Sequence, residues 1–142
     1  MRDIIFRGKQ VFDGTIGNNK MVYGDLFTSP NGNITYIITK LIQENNGLHI
    51  NKQIKVDRDT VSQFTEMLDM QEQKIFEGDI LRVVGKTAYP YVEVFKKCGS
   101  WEVQVYKEPT TRSLYVFLKD NECVVIGNVF NYDDREFLEY KD

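Results

Sequence analysis

The chain has 142 residues, 42% hydrophobic, 13% aromatic and 27% charged, enough for one domain or two small ones with a buried core. A formal net charge of -3 argues against a histone-like role and against non-specific affinity for nucleic acid or anionic membranes. No run approaches the roughly 18 to 20 apolar residues of a membrane-spanning helix. The N-terminus, Met1 to Arg7, lacks the apolar h-region and small-residue cleavage site of a signal peptide, so a cytoplasmic protein is expected. Two cysteines, Cys98 and Cys123, are too few for a disulfide scaffold, and both read as small apolar residues in strands.

Taken in chain order, the first half reads as short strands. Ile4 to Arg7 is one and Met21 to Thr28 a second, preceded by a polar turn at Gly17-Asn18-Asn19. Ser29-Pro30-Asn31-Gly32 has the fixed φ of Pro and the positive-φ tolerance of Asn-Gly that a tight reversal needs. The β-branched, aromatic segment Ile34 to Leu41 should therefore pair antiparallel with the strand before it, ending at Asn45-Asn46-Gly47. Residues 57–73 fit two patterns. Val61, Phe64 and Leu68 share a helical face with Asp57 or Asp59 as cap, while Thr60 to Thr65 is a β-prone hexamer. A short strand followed by an irregular polar loop through Asp69 to Gln73 is the reading adopted.

From Ile75 onward the pattern is repeatedly β. Ile80 to Val84 follows a turn at Gly78, and Tyr91 to Lys96 alternates with period two. Trp101, Val103 and Val105 then share one face after Lys97-Cys98-Gly99-Ser100, the clearest hairpin signal in the chain. Leu114 to Leu118 and Cys123 to Phe130 supply two more strands, joined by a turn at Asp120-Asn121. Five such strands can close into a small barrel or roll, removing exposed edges. Asp133 to Tyr140, with acids at its start, reads as a short terminal helix. The expected architecture is mainly β: N-terminal antiparallel strands over 1–58, a small C-terminal β-barrel or roll over 59–142, and a short terminal helix, as two segments or packed as one compact domain. The charge pattern follows the same division, net +3 over 1–58 and net -6 over 59–142. Asp59, Glu66, Asp69, Glu72, Glu77 and Asp79 face only Lys74, a run read as a solvated face.

Few residues suggest chemistry. The one histidine, His49, would have to carry any His-dependent mechanism alone and reads as a surface residue. Gly85-Lys86-Thr87 resembles the end of a phosphate-binding loop, but Ile80 stands where that loop needs its first glycine. Asp13-Gly14-Thr15-Ile16-Gly17 has glycines three apart without a βαβ frame, which disfavours dinucleotide binding. Glu77 and Asp79, two apart, would share one side of an extended segment as an acid/base pair or weak cation site; a wet turn at Gly78 is the simpler reading. Tyr89 and Tyr91, with Lys96 and Lys97, form the best aromatic-and-basic patch, of the kind that stacks single-stranded bases or grips a proline-rich peptide.

Four segments in order, Ile5-Phe6-Arg7, Met21 to Leu26, Thr60 to Thr65 leading to Lys74 to Ile80, and Val125 to Phe130, resemble the YopX family of bacteriophage and prophage proteins. The resemblance implies a small intracellular protein of phage or prophage origin that self-associates. It gives Gln63, Phe64, Thr65, Glu77, Gly78, Asp79, Gly127 and Asn128 as family-motif residues with structural roles. The family tends to carry glycine where this chain has Glu66 and Glu72, and Trp where it has Met21, so a differently shaped loop over 66–73 is expected. The function expected is non-catalytic, through self-assembly and binding of a phage or host protein, with no cofactor and no metal. The alternatives are a single-stranded nucleic-acid module on the C-terminal barrel and, last, a divalent-cation enzyme using Glu77 and Asp79.

Overall fold

The computed structural model describes residues 5–12, 15–30, 32, 34–43, 48–86, 90–105, 111–131 and 134. The chain divides into two compact units, Met1–Gln63 and Phe64–Asp142. No helix among the described residues is long and apolar enough to cross a membrane.

The first unit holds β1 (Phe6–Phe12), β2 (Thr15–Thr28), β3 (Thr35–Gln43) and β4 (Leu48–Val56). β2 is long enough to serve two neighbours. Its first part pairs antiparallel with β1, and its last four residues pair with β3, from Asp25 opposite Ile38 to Thr28 opposite Thr35. β3 and β4 form a hairpin paired from Thr35 opposite Val56 to Gln43 opposite Leu48. β4 returns to β1 through Gln10 opposite Val56, which closes a four-stranded barrel. The reversal between β2 and β3 is built as its residues suggest: Ser29 N–H donates to the Ile34 carbonyl (2.8 Å) and Gly32 N–H to the Ser29 carbonyl (2.8 Å). Gly17-Asn18-Asn19 is not a turn. β2 runs through it, and the register shift opposite Lys9 and Val11 absorbs the extra residues as a bulge. Asn45, Asn46 and Gly47 lie outside the described residues. β4 was not anticipated, although Leu48, Ile50, Ile54 and Val56 carry a period-two apolar signal.

Val22, Ile37 and Val56 are the buried core of this unit, with Phe6, Ile54 and Val61 packed against them. Asp57 ends β4 and caps the 3-10 turn Arg58–Thr60, accepting from Asp59 N–H at 3.0 Å. Thr60 Oγ1 accepts from Lys9 N–H (2.8 Å) and donates to the Asp57 carbonyl (2.7 Å), tying the turn to β1. β5 (Ser62–Leu68) follows, so residues 61–68 are extended rather than helical. Its start pairs with β1, Ser62 opposite Arg7 and Gln63 opposite Phe6.

In the second unit β5 continues to pair with β6 (Lys74–Phe76), Phe64 opposite Phe76 and Leu68 opposite Lys74. β7 (Asp79–Val83), β8 (Tyr91–Lys97), β9 (Ser100–Val105), β10 (Thr111–Ser113) and β11 (Cys123–Asn128) form an antiparallel sheet in the order β10-β9-β8-β7-β11. The fold is thus mainly β with a small barrel, as the strand pattern indicates. The barrel closes among the first four strands, and the C-terminal strands make a sheet edged by β10 and β11. Cys98 is not in a strand: with φ of 51° it precedes Gly99, φ 80°, in the exposed two-residue turn of the β8–β9 hairpin, where Lys97 pairs with Ser100.

Leu114 to Leu118, expected as a strand, is the first part of helix α1 (Leu114–Asp120). A five-residue apolar run has no periodicity to separate the two states. The helix buries Leu114 and Phe117, three apart, and leaves Tyr115 and Val116 exposed. Asn121 ends it, its backbone N–H and its Nδ2 both donating to the Phe117 carbonyl. Ile75, Leu81, Val83, Val92, Val94, Val103, Val105, Leu114, Phe117 and Cys123 make the core of this unit. The terminal helix expected over 133–140 falls outside the described residues, apart from Asp134.

Candidate binding cleft

The family-motif residues lie in β5, at the β6–β7 turn and in β11. Gly78 turns the chain between β6 and β7 with φ of +85°, and a Cβ there would meet the Phe130 ring at 2.6 Å. Asp79 is 1% exposed, and its Oδ2 accepts from Phe76 N–H at 2.7 Å. Glu77 is half-buried on the other side of this turn, so the extended segment that would set both carboxylates on one side is absent. Among the described residues no group of three or more His, Cys, Asp or Glu is gathered around a metal-sized space. Thr65 Oγ1 donates to the Ile75 carbonyl (2.7 Å), and Phe64 packs on Phe76 with ring centroids 5.6 Å apart. Gln63 is half-buried at the β1–β5 pairing. At the far corner a Cβ on Gly127 would meet the Asp134 carboxylate at 2.5 Å. Asn128 donates its N–H to that carboxylate (3.2 Å) and accepts from Phe130 N–H (3.0 Å) on its Oδ1.

The aromatic-and-basic patch is not assembled by the described residues. Tyr89 lies outside them. Tyr91 and Lys97 have the same parity on β8, roughly 20 Å apart along the strand, while Lys96 points to the opposite face. There its Nζ sits 5.4 Å from the Trp101 ring centroid. His49 stands in β4 opposite Ile42, apart from the motif residues in sequence.

What the second unit does contain is a cleft of about 420 Å³ between the β5–β6 turn and the α1–β11 turn, lined by residues 68–70 and 118–123. Asp69, 6% exposed, is its organising residue. Its Oδ1 accepts from Gln71 N–H (2.8 Å) and Gln73 N–H (2.9 Å), closing the turn, and its Oδ2 accepts from Val125 N–H (2.9 Å) on β11. Met70 N–H donates to the Cys123 carbonyl at 3.0 Å. The turn therefore occupies the outer edge of β11 as another strand would, and covers groups that an open edge leaves bare. Cys123 is 1% exposed, and burial, followed by the nearby Asp69 carboxylate, pushes its thiol up from 9.0 to about 11.

A thiol protonated at neutral pH is a poor nucleophile, and the Asp69 carboxylate accepts three backbone N–H groups. Beside the polar residues that line the cleft, its rim carries exposed apolar side chains: Leu68 is 49% and Met70 51% exposed. Sequence reasoning passed over Asp69. Asp at the first position of a turn is a recognisable signal, but nothing local announces a bond to Val125, 56 positions away.

Comparison with curated proteins gives no match. Among solved structures, the crystal structure of protein EF1440 from Enterococcus faecalis superposes with a TM-score of 0.56 over 96% of this chain and 99% of that one, at 19% sequence identity. A likeness at that identity concerns the fold. The family model described as YopX protein matches residues 6–139, which takes in β1, both glycine corners at 78 and 127, and the Asp69 turn, and the chain belongs to the YopX family.

Proposed function

We propose that the protein works without catalysis, by docking a partner polypeptide in the cleft of its second unit. The observation that carries this is the exposure of Leu68 and Met70 around a cleft of about 420 Å³, beside a turn that the buried Asp69 carboxylate holds. Apolar side chains held open beside a rigid turn bind; they do not react. Separation of Lys96 from Lys97 across β8 favours a polypeptide partner over a nucleic acid. The partner proposed is a phage or host protein in the cytoplasm of a bacterial host, a reading that the resemblance to phage and prophage proteins supports. The test is to pan the intact protein against a displayed library of random short peptides and to measure the enriched peptides by fluorescence anisotropy. The reading expects binders that a Leu68→Lys, Met70→Lys variant no longer holds. Absence of binders, or binders indifferent to those substitutions, overturns it.

Self-association is the second part of the proposal. Exposed Tyr23 (49%) and Phe27 (45%), which have the same parity on β2 of the barrel, support it, since a second copy would cover apolar surface that a solitary barrel strand leaves wet. Light scattering from micromolar to millimolar protein should show a discrete oligomer that Phe27→Asp dissociates. A monomer throughout that range removes this part.

A further inference from the structure

We infer that the partner segment docking in this cleft is basic and apolar: a short stretch with Lys or Arg flanking an apolar side chain. The inference rests on the binding reading above and concerns the partner's chemistry. Three carboxylates line the cleft, those of Asp69, Asp120 and Glu122, against one ammonium, Lys119. That ammonium keeps its charge, its Nζ lying 5.1 Å from the centroid of the exposed Tyr115 ring. Beside the rim, Glu72 in the turn that Asp69 closes is matched by Lys74, which pairs with Leu68, so the balance stays negative.

Charges in a concave site focus their field into it, so this cleft attracts cations and repels anions. Its exposed hydrogen-bond acceptors are the Asp120 and Glu122 carboxylates, while one N–H of the Asn121 amide is committed to the Phe117 carbonyl. Lys and Arg on a partner supply donors to those carboxylates with charge. Leu68 and Met70 at one rim and half-buried Leu118 at the other offer apolar contact, and the unbranched Met side chain adapts to differently shaped occupants. The volume suits a few side chains rather than a folded domain.

The panning experiment decides this with two further readouts. The enriched peptides should carry an excess of Lys and Arg beside apolar residues, and their affinity should fall as salt is raised. In an Asp120→Lys, Glu122→Lys variant it should fall tenfold or more, and in Asp120→Asn, Glu122→Gln by less. Both positions are exposed, and Lys at the end of α1 suits the helix dipole, so these variants should unfold at the denaturant concentration of the parent. Enriched peptides that are neutral or acidic, or that bind the charge-reversed variant equally well, overturn the inference. If those peptides still depend on Leu68 and Met70, the binding reading stands without its basic partner. If nothing depends on Leu68 and Met70, the binding reading itself falls.

Discussion

Asp69 joins two stretches of chain through one carboxylate, and its substitution should show how much of the cleft depends on it. In Asp69→Asn one carboxylate oxygen becomes an NH2 group, which must face either Val125 N–H or the N–H pair of Gln71 and Gln73. A buried donor is then set against a donor, which costs about 2 to 3 kcal/mol. Urea unfolding of Asp69→Asn should show that loss with an unchanged m-value; a loss below about 0.5 kcal/mol would mean that the turn does not depend on this carboxylate. Cys123 makes a prediction in pH. Its thiol is raised from 9.0 to about 11 in the folded chain, so both states are protonated below pH 9. Between pH 9 and about 11 the unfolded chain loses the proton and the folded one keeps it, and stability falls as pH rises, by about 2 kcal/mol over the window. Cys123→Val removes the group, so the stability difference between parent and variant should shift in favour of the variant between about pH 8 and about pH 10.5. A constant difference would show that the thiol titrates alike in both states.

At the scale of elements, β5 and the turn that follows it hold two glutamates in a conformation that suits glycine. Glu66, in β5, and Glu72, in the turn, have φ values of 69° and 64°, both left-handed. Left-handed backbone costs a residue with a Cβ about 1 to 2 kcal/mol, and glycine loses about 0.5 to 1 kcal/mol more in conformational entropy on folding. Glu72→Gly should therefore stabilise the protein by about 0.5 kcal/mol or slightly more, read from the urea midpoint. Glu72→Ala should bring no gain, because it removes the charge and keeps the Cβ. A gain in the alanine variant would trace the effect to charge instead. These glutamates also show why some elements are legible in sequence and others not. The β8–β9 hairpin is legible because its alternation and its Cys98-Gly99 turn are local. α1 is not, because Leu114 to Leu118 are all apolar and only packing selects Leu114 and Phe117 as the buried pair. The bulge around Glu66, between the Phe64–Phe76 and Leu68–Lys74 pairs, depends on a partner strand the local pattern does not identify.

For the whole molecule, the two units differ in what holds them. Among the described residues, the core of the second unit includes Leu81, Val92, Val94 and Phe117, and that of the first includes Val22, Ile37 and Val56. The barrel's closure also bears weaker joints: β1 meets β4 at the single pair Gln10 and Val56, and the Gln10 Oε1 and Thr35 Oγ1 atoms are buried without a protein hydrogen-bond partner. Closure of this kind could not be read from the chain. It depends on β2 changing partner at Asp25 and on a bulge opposite Lys9, both long-range choices of register, and the C-terminal strands carry an equally strong alternation. Stability within one chain need not be uniform, and the unit closed through these weaker joints is expected to open first. Hydrogen exchange followed by mass spectrometry should find the amides of β7, β8 and β9 slowest. Those of β1 to β4 should exchange through an opening that needs less free energy and responds to low urea. If barrel amides proved as protected as Val92 and Val94, these joints would not be weak points of the barrel, and its stability would have to come from its other strand pairings or from association with a second copy.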